Sequence, residues 1–490
     1  MKSTLSPAQN PSAKERIFGW LTRNQWLAVA VLCVALGGMV GLAASAVNPL
    51  YLLGAMAIGL ASLWALKDAR RGLLIIIAVI ALLPRIASPV SIGFKPTLLD
   101  GGLILTFGAW LLFGRGARAQ APSPASAITW PMLALIGVAI ATFIVGIPNG
   151  ALTTLVIRRF AELVGTLLMV FVFVDILSWR GMMRRAVQGI IVFGAMAALI
   201  GIFFYLINND LAIRLLSSLR VFAYPYGDGV LRFVNDDPAG LKRAIGLWID
   251  PNAFGGYLMI TGAIALAQAF SPKPVLPRLV VFGCLGLIGL TLVLTVSRSA
   301  MLGLAFAALF MAAFKYRRLI PVMLIALALI LILPQTRNLV QHFAEGFAGK
   351  DLATQMRFGE YKDAFRLIER YPVFGVGFTD TPDVDLYIGV SSMYLLIAQQ
   401  MGLAGLTAFV LVMLAFLVDG FRAWPRIRAQ EPRAAIWLGA FGAILGALLS
   451  GVLDHYFFNI DFHNSVTLFW LTASLAMTAK QQDSKALTDF

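Results

Sequence analysis

The sequence predicts an all-α polytopic membrane protein of about 12–14 transmembrane helices, with a large outward loop containing an amphipathic helix. Three observations predict it. Of 490 residues, 59% are hydrophobic and 13% charged, about half the ~25% charge of a soluble domain. Apolar runs of the ~20 residues that cross hydrocarbon recur along the whole length. Basic residues gather in alternate connections between those runs. This composition excludes a soluble enzyme, a disordered chain and a disulfide scaffold. Cys33 and Cys284 lie inside apolar runs and read as small buried hydrophobes. With no CxxC and no Cys/His cluster, no metal or cofactor is expected.

The expected spans are 26–46, 49–66, 72–92, 98–113, 128–147, 160–178, 186–207, 252–270, 275–295, 298–314, 318–334, 391–418, 434–458 and 464–479. Together they make one transmembrane domain over 26–479, with a tail at each end, 1–25 and 480–490. Ala44-Ser45-Ala46 resembles a signal-peptidase site, but the apolar run before it is too long for a signal peptide, so an uncleaved first span is expected. Placing both tails in the cytosol puts 23 of the 39 Lys and Arg and 7 of the 24 acids on that side, a net +16 against −1 outside. Nearly all of the chain's +15 is therefore topological and calls for no nucleic acid. The segment 115–127 reads as a flexible cytosolic linker.

Two long connections, 208–251 and 335–390, lie on the outward side. Residues 354–371 of the second predict a helix with Phe358, Tyr361, Phe365 and Ile368 as its apolar stripe. Arg357, Glu360 and Arg370 fall off that stripe, and Pro372, Gly375 and Gly377 end the helix.

Cationic groups sit at the outer ends of spans: Arg158 and Arg159, Lys242 and Arg243, and Arg298 between two apolar runs. An arginine at mid-bilayer costs ~2.5–3.5 kcal/mol, so Arg298 must snorkel, pair or face a polar cavity. Several arginines at one level make an anion site, because a guanidinium binds phosphate oxygens in bidentate fashion. The last outward connection, 454–464, holds two acids and two histidines, more than an interfacial aromatic belt requires. There His455 is a candidate base with Asp454 to orient it, and His463 is the runner-up. Asp250 and Asn252 open a span as capping residues and as candidate site residues. Tyr394, Gln399 and Gln400 are polar groups in or near a span. Asp100 is ambiguous. Asp236-Asp237 and Asp383-Val384-Asp385 lack companion ligands and read as solvated loops.

Four motifs then follow in order: RAIGLWIDPNAFGG at 243–256, LTVSRSA at 294–300, YPVFGVGF at 371–378 after a loop carrying Arg357, and SSMYL at 391–395 running on to QMGL at 400–403. Over about 150–420 this order resembles the O-antigen ligase and O-antigen polymerase superfamily of bacterial inner-membrane proteins. The resemblance implies a GT-C-like glycosyltransferase that uses an undecaprenyl-diphosphate-linked oligosaccharide on the periplasmic side, without metal, and inverts the anomeric centre. It implies that Arg243 and Arg298 hold the diphosphate, with Arg159 as a third, and that Arg357 is the loop arginine that helps close the site. From the residues themselves, Arg298, Asp454 and His455 are expected to carry the chemistry, and Asp250, Asn252, Tyr394 and His463 to support the acceptor. Membrane lipids, a chain-length regulator and export machinery are the further partners expected. One departure stands out: ligases of this superfamily begin the span after the large loop with His-Asn, and here Ser391 and Ser392 stand there. A serine cannot replace that base, which favours polymerisation of exopolysaccharide, capsule or O-antigen repeats over ligation of finished glycan. A flippase for the same lipid is the reading from another class, but it calls for polar groups on both sides of the midplane.

Overall fold

The computed structural model describes residues 59–481 except 61, 63, 85, 88–93, 115–126, 333–339, 342, 343, 345, 347, 350, 351 and 380–389. The first expected span, most of the second, the tail 1–25, nearly all of the tail 480–490, most of the linker and the Asp383-Val384-Asp385 segment lie outside these residues. The chain divides into two units, Met1–Leu63 and Trp64–Phe490. The second carries all of the helices below.

Among the described residues the fold is all-helical apart from one tiny ribbon. The helices are α1 (Ala69–Leu82), α2 (Leu98–Phe113), α3 (Thr129–Gly146), α4 (Thr154–Ser178), α5 (Met182–Leu206), α6 (Asn209–Ser218), α7 (Pro251–Phe270), α8 (Arg278–Leu294), α9 (Arg298–Phe314), α10 (Leu319–Ile332), α11 (Leu352–Arg370), α12 (Met393–Ile427), α13 (Arg433–Ser450) and α14 (His463–Gln481). Of these, α3, α4, α5, α7, α12 and α13 are long and apolar enough to cross a membrane, and α2, α8, α9 and α10 are shorter apolar helices. The chain is thus an all-α polytopic membrane protein.

Helix α7 is the hub. It packs on α5, α8, α9 and α13, and almost all of its side chains are buried. Its start is fixed by sequence: Asp250 accepts from the amides of Asn252 and Ala253, both at 2.8 Å, and Pro251 fills the first turn. Helices α9 and α13 meet backbone to backbone, since a Cβ on Gly303 would lie 2.8 Å from the Gly446 carbonyl oxygen. Small residues permit that approach where lipid offers no hydrophobic drive between helices. At α2, Thr97 and Asp100 form a reciprocal capping box. The ribbon pairs β1 (Arg232–Phe233) with β2 (Lys242–Arg243), Arg232 opposite Arg243.

Three expectations need correction. The span expected at 72–92 ends as a helix at Leu82, and that expected at 434–458 ends at Ser450, so the turns that follow begin earlier. The span expected at 391–418 is a longer helix broken at Gly402, where φ is 65° and ψ −170°. The loop 371–378 docks in that break: Val376 and Gly377 donate to the carbonyls of Gln399 and Gln400, both at 2.9 Å, and Leu403 donates to that of Pro372 at 2.8 Å. Irregular backbone at membrane depth is tolerated where protein satisfies its polar groups, and here the glycine-rich loop does so.

The amphipathic helix α11 forms as expected, but it packs through another face. Tyr361, Ala364, Leu367 and Ile368 are turned inward, while Phe358 and Phe365 are exposed. Ala364 and Leu367 are the buried positions of that face, and neither belongs to the aromatic stripe. Arg357 and Glu360, expected off the packed face, therefore point into the protein.

Candidate functional site

Three of the expected arginines meet. Arg243, Arg298 and Arg357 line one pocket with Asn252, Ser299, Val234, Asn235 and Val296. Arg243 leaves β2 and donates from Nε to the Thr295 carbonyl at 2.8 Å and from Nη2 to Asn252 Oδ1 at 2.6 Å. Arg298 opens α9 and lies so close to Gly346 that any side chain there would collide with its guanidinium. Arg357 comes from α11, with Nη2 3.8 Å from Asp454 Oδ2. That carboxylate oxygen also accepts from Ser299 Oγ at 2.7 Å.

The turns that deliver these groups are strained. Val296, between α8 and α9, has φ 53°, and Ile249, just before Asp250, has φ 68°. A β-branched residue is rare in that left-handed region, and such strain collects where neighbours over-determine the backbone. Both residues border the arginine pocket or its helix cap.

Electrostatics bind the set into one site. Burial pulls the Arg243 guanidinium down to about 10, opposed by Asp250 and Asp454 and assisted by Arg298 and Arg357. It stays charged at neutral pH. Burial pushes the Asp454 carboxyl up, with Arg357, His455 and the Ser299 hydrogen bond pulling it back. A desolvated, like-charged trio beside one buried carboxylate has net positive charge and is suited to an anion.

The remaining expected residues distribute as follows. Asp454 turns its Oδ2 to Ser299 and Arg357, whereas His455 Nδ1 pairs with Asn459 Nδ2 at 3.0 Å. The expected orientation of His455 by Asp454 is thus replaced by one from Asn459. Tyr394 donates to the Leu448 carbonyl at 2.8 Å and so ties α12 to α13. Ser391 is engaged by α11: its amide donates to Glu360 at 2.8 Å and its carbonyl accepts from Tyr361 at 3.2 Å.

Arg159 and His463 lie in a second pocket, with Arg158, Glu162, Trp248, Asp461 and Asn464. Arg159 pairs with Asp461 at 2.6 Å instead of joining the other three arginines. Here Asp100, Glu162 and His463 each offer a ligand atom, all within 4.8 Å of one another, a grouping able to hold a metal ion. Glu162 is a further member of this cluster, and its signal in the sequence is that of an acid inside an apolar span. Ser299 and Asn252's bond to Arg243 were not foreseen, because each depends on contacts between distant segments.

Fold and pocket define a polytopic helical membrane protein with a pocket lined by three arginines. Residues 283–410 match the family described as O-antigen ligase. The match takes in Arg298, Arg357 and the Ser391-Ser392 pair, and it supports the O-antigen ligase and polymerase superfamily that the ordered motifs resemble. No curated protein matches the chain.

Proposed function

We propose that this protein polymerises lipid-linked glycan repeat units, transferring glycan from an undecaprenyl-diphosphate donor on the periplasmic side of a bacterial inner membrane, with both termini in the cytosol. The observation that carries this reading is the meeting of Arg243, Arg298 and Arg357, from three separate stretches of chain, in one pocket. Their guanidinium groups grip the diphosphate and stabilise the charge that develops on it as the glycosidic bond breaks. Asp454 is the base. It takes the proton of the acceptor hydroxyl as that oxygen attacks the anomeric carbon from the face opposite the diphosphate. The bond to the phosphate oxygen breaks, its electron pair stays with the diphosphate, and the anomeric centre inverts. A carboxyl whose pKa is raised by burial is a stronger base than an ordinary one. His455 is the rival base, and its engagement by Asn459 counts against it. The Ser391-Ser392 pair supports polymerisation over ligation, because both backbone groups of Ser391 serve to dock α11 and no imidazole stands there.

The test is the lipid-linked glycan profile of cells carrying Arg298→Ala at normal protein level. The proposal expects polymer to vanish and single lipid-linked repeats to accumulate on the periplasmic face. Accumulated long lipid-linked polymer would identify a ligase, and repeats held on the cytosolic face a flippase.

A further inference from the structure

The second pocket contains polar groups that glycosyl transfer does not use, and their hydrogen bonding specifies what is lacking. Thr166 Oγ1 has one hydrogen, which it donates to the Glu162 carbonyl at 2.7 Å. The same oxygen lies 2.9 Å from His463 Nε2 and accepts from it when that nitrogen carries the proton. With its proton on Nε2, the ring presents a lone pair at Nδ1, the form in which a histidine ligates a metal. Nδ1 faces Asp100 Oδ1 at 3.2 Å. Neither atom has a hydrogen-bond partner, and His463 is 7% exposed. Independently, Asn464 lines the same pocket at 5% exposure, and its Nδ2 donor also lacks a partner. A cation held between Nδ1 and the two carboxylates satisfies the Nδ1 to Oδ1 contact, as does a proton on the ring.

We propose that Asp100, Glu162 and His463 Nδ1 bind one divalent first-row metal ion, of the Zn²⁺ or Mn²⁺ type. An N···O separation of 3.2 Å subtends roughly 100° at an ion about 2.1 Å from each atom, between the tetrahedral and octahedral angles. The surroundings are those of a metal site. A ligating histidine gives its other ring N–H to a fixed acceptor, here Thr166. The carboxylates are held through their other contacts: Arg158 Nε to Glu162 Oε1 at 2.6 Å, Arg158 Nη2 to Asp100 Oδ2 at 3.4 Å, and the Thr97 amide to Asp100 Oδ2 at 2.7 Å. Open positions of the ion take water, to which Asn464 Nδ2 donates. One imidazole with two carboxylates selects Zn²⁺ or Mn²⁺ over a soft ion such as Cu⁺. The ion ties α2, α4 and α14 together and pins the far end of the turn that carries Asp454. It is a structural site, separate from the diphosphate pocket, and does not depend on the proposed reaction.

The experiment uses the full-length protein in detergent, stripped with a chelator and titrated with Co²⁺ by visible absorption and with Zn²⁺ in competition. The expected result is one ion per chain, with Co²⁺ bands that Zn²⁺ displaces and a melting temperature that rises with the ion. Thr166→Val should weaken binding roughly 10- to 100-fold, and His463→Ala should abolish the Co²⁺ bands and the rise in melting temperature. The proposal is overturned if the wild-type chain takes up no ion, or if the His463→Ala chain binds it as tightly. The wild-type titration is decisive even if a variant fails to fold.

Discussion

Arg357 reaches the pocket because α11 turns it inward, 3.8 Å from Asp454. A lysine could keep the charge there but not the planar fork that grips two phosphate oxygens. A hydrogen bond to a charged group is worth ~1.5–3 kcal/mol. Arg357→Ala should thus lower kcat/KM for the lipid-linked donor roughly ten- to a hundredfold, and Arg357→Lys should restore only part, as measured with purified protein and donor. Asp454 invites a pH experiment. Its carboxyl is pushed up by burial, so the folded chain holds that proton more tightly than the unfolded chain does. This favours folding below the ordinary carboxyl range and opposes it once pH rises past the folded-state value. The base form is likewise lost at a higher pH than for an exposed aspartate. The rate should therefore fall on the acid side above the usual carboxylate range. Asp454→Asn should abolish transfer while melting at a higher temperature than wild type at neutral pH. Near-normal turnover in Asp454→Asn, with loss in His455→Gln, would transfer the role of base to the histidine.

Helices α11 and α12 are delivered to the site by a loop whose meaning changes between sequence and structure. Pro372, Gly375 and Gly377 read as terminators of α11, and they do end it. Their larger role is to fill the break in α12, which no local pattern announces because the partners are carbonyls of an apolar run. Gly402 is the joint. A Cβ there would strike the Val373 carbonyl, and its backbone lies where essentially only glycine settles. Gly402→Ala should cost on the order of 2 kcal/mol or more, seen as a melting temperature lowered by several degrees. Donor turnover should fall with it, since α11 and Arg357 are seated through the same contacts. Unchanged melting would mean that the loop and the break are not mechanically joined. The stripe of α11 was misread for a related reason. Aromatic spacing marks an apolar face but does not say which of two adjacent faces a neighbouring helix covers, and here the covered face is the one that carries Ala364 and Leu367.

At the scale of the whole molecule, the chain's charge divides between two ends. The arginine pocket and the Asp100, Glu162 and His463 cluster draw on the connections assigned outward. At the other end Lys315 pairs with Glu431, Lys480 pairs with Asp419, and Arg433 donates to the carbonyls of Ala479 and Lys480. The all-helical class and most helix positions were legible because hydropathy and basic residues act locally along the chain. Of the four arginines expected at the diphosphate, Arg243 and Arg298 stand out because each adjoins an apolar run at a cost that demands a partner, whereas Arg357, on the loop helix, is singled out through the resemblance of the ordered motifs. Arg159 was not separable from them in the sequence, since only folding shows that Asp461 takes it. The orientation remains a physical claim with its own test. In a chain carrying Cys33→Ala and Cys284→Ala, single cysteines are introduced as Asp237→Cys in the first long loop or Arg317→Cys at the opposite end. Both positions are exposed. In spheroplasts a membrane-impermeant maleimide should label Asp237→Cys at once, and Arg317→Cys only after the membrane is opened. The reverse pattern would put the arginine pocket in the cytosol, where the donor would have to be used before it is flipped, and periplasmic polymerisation would fall with it.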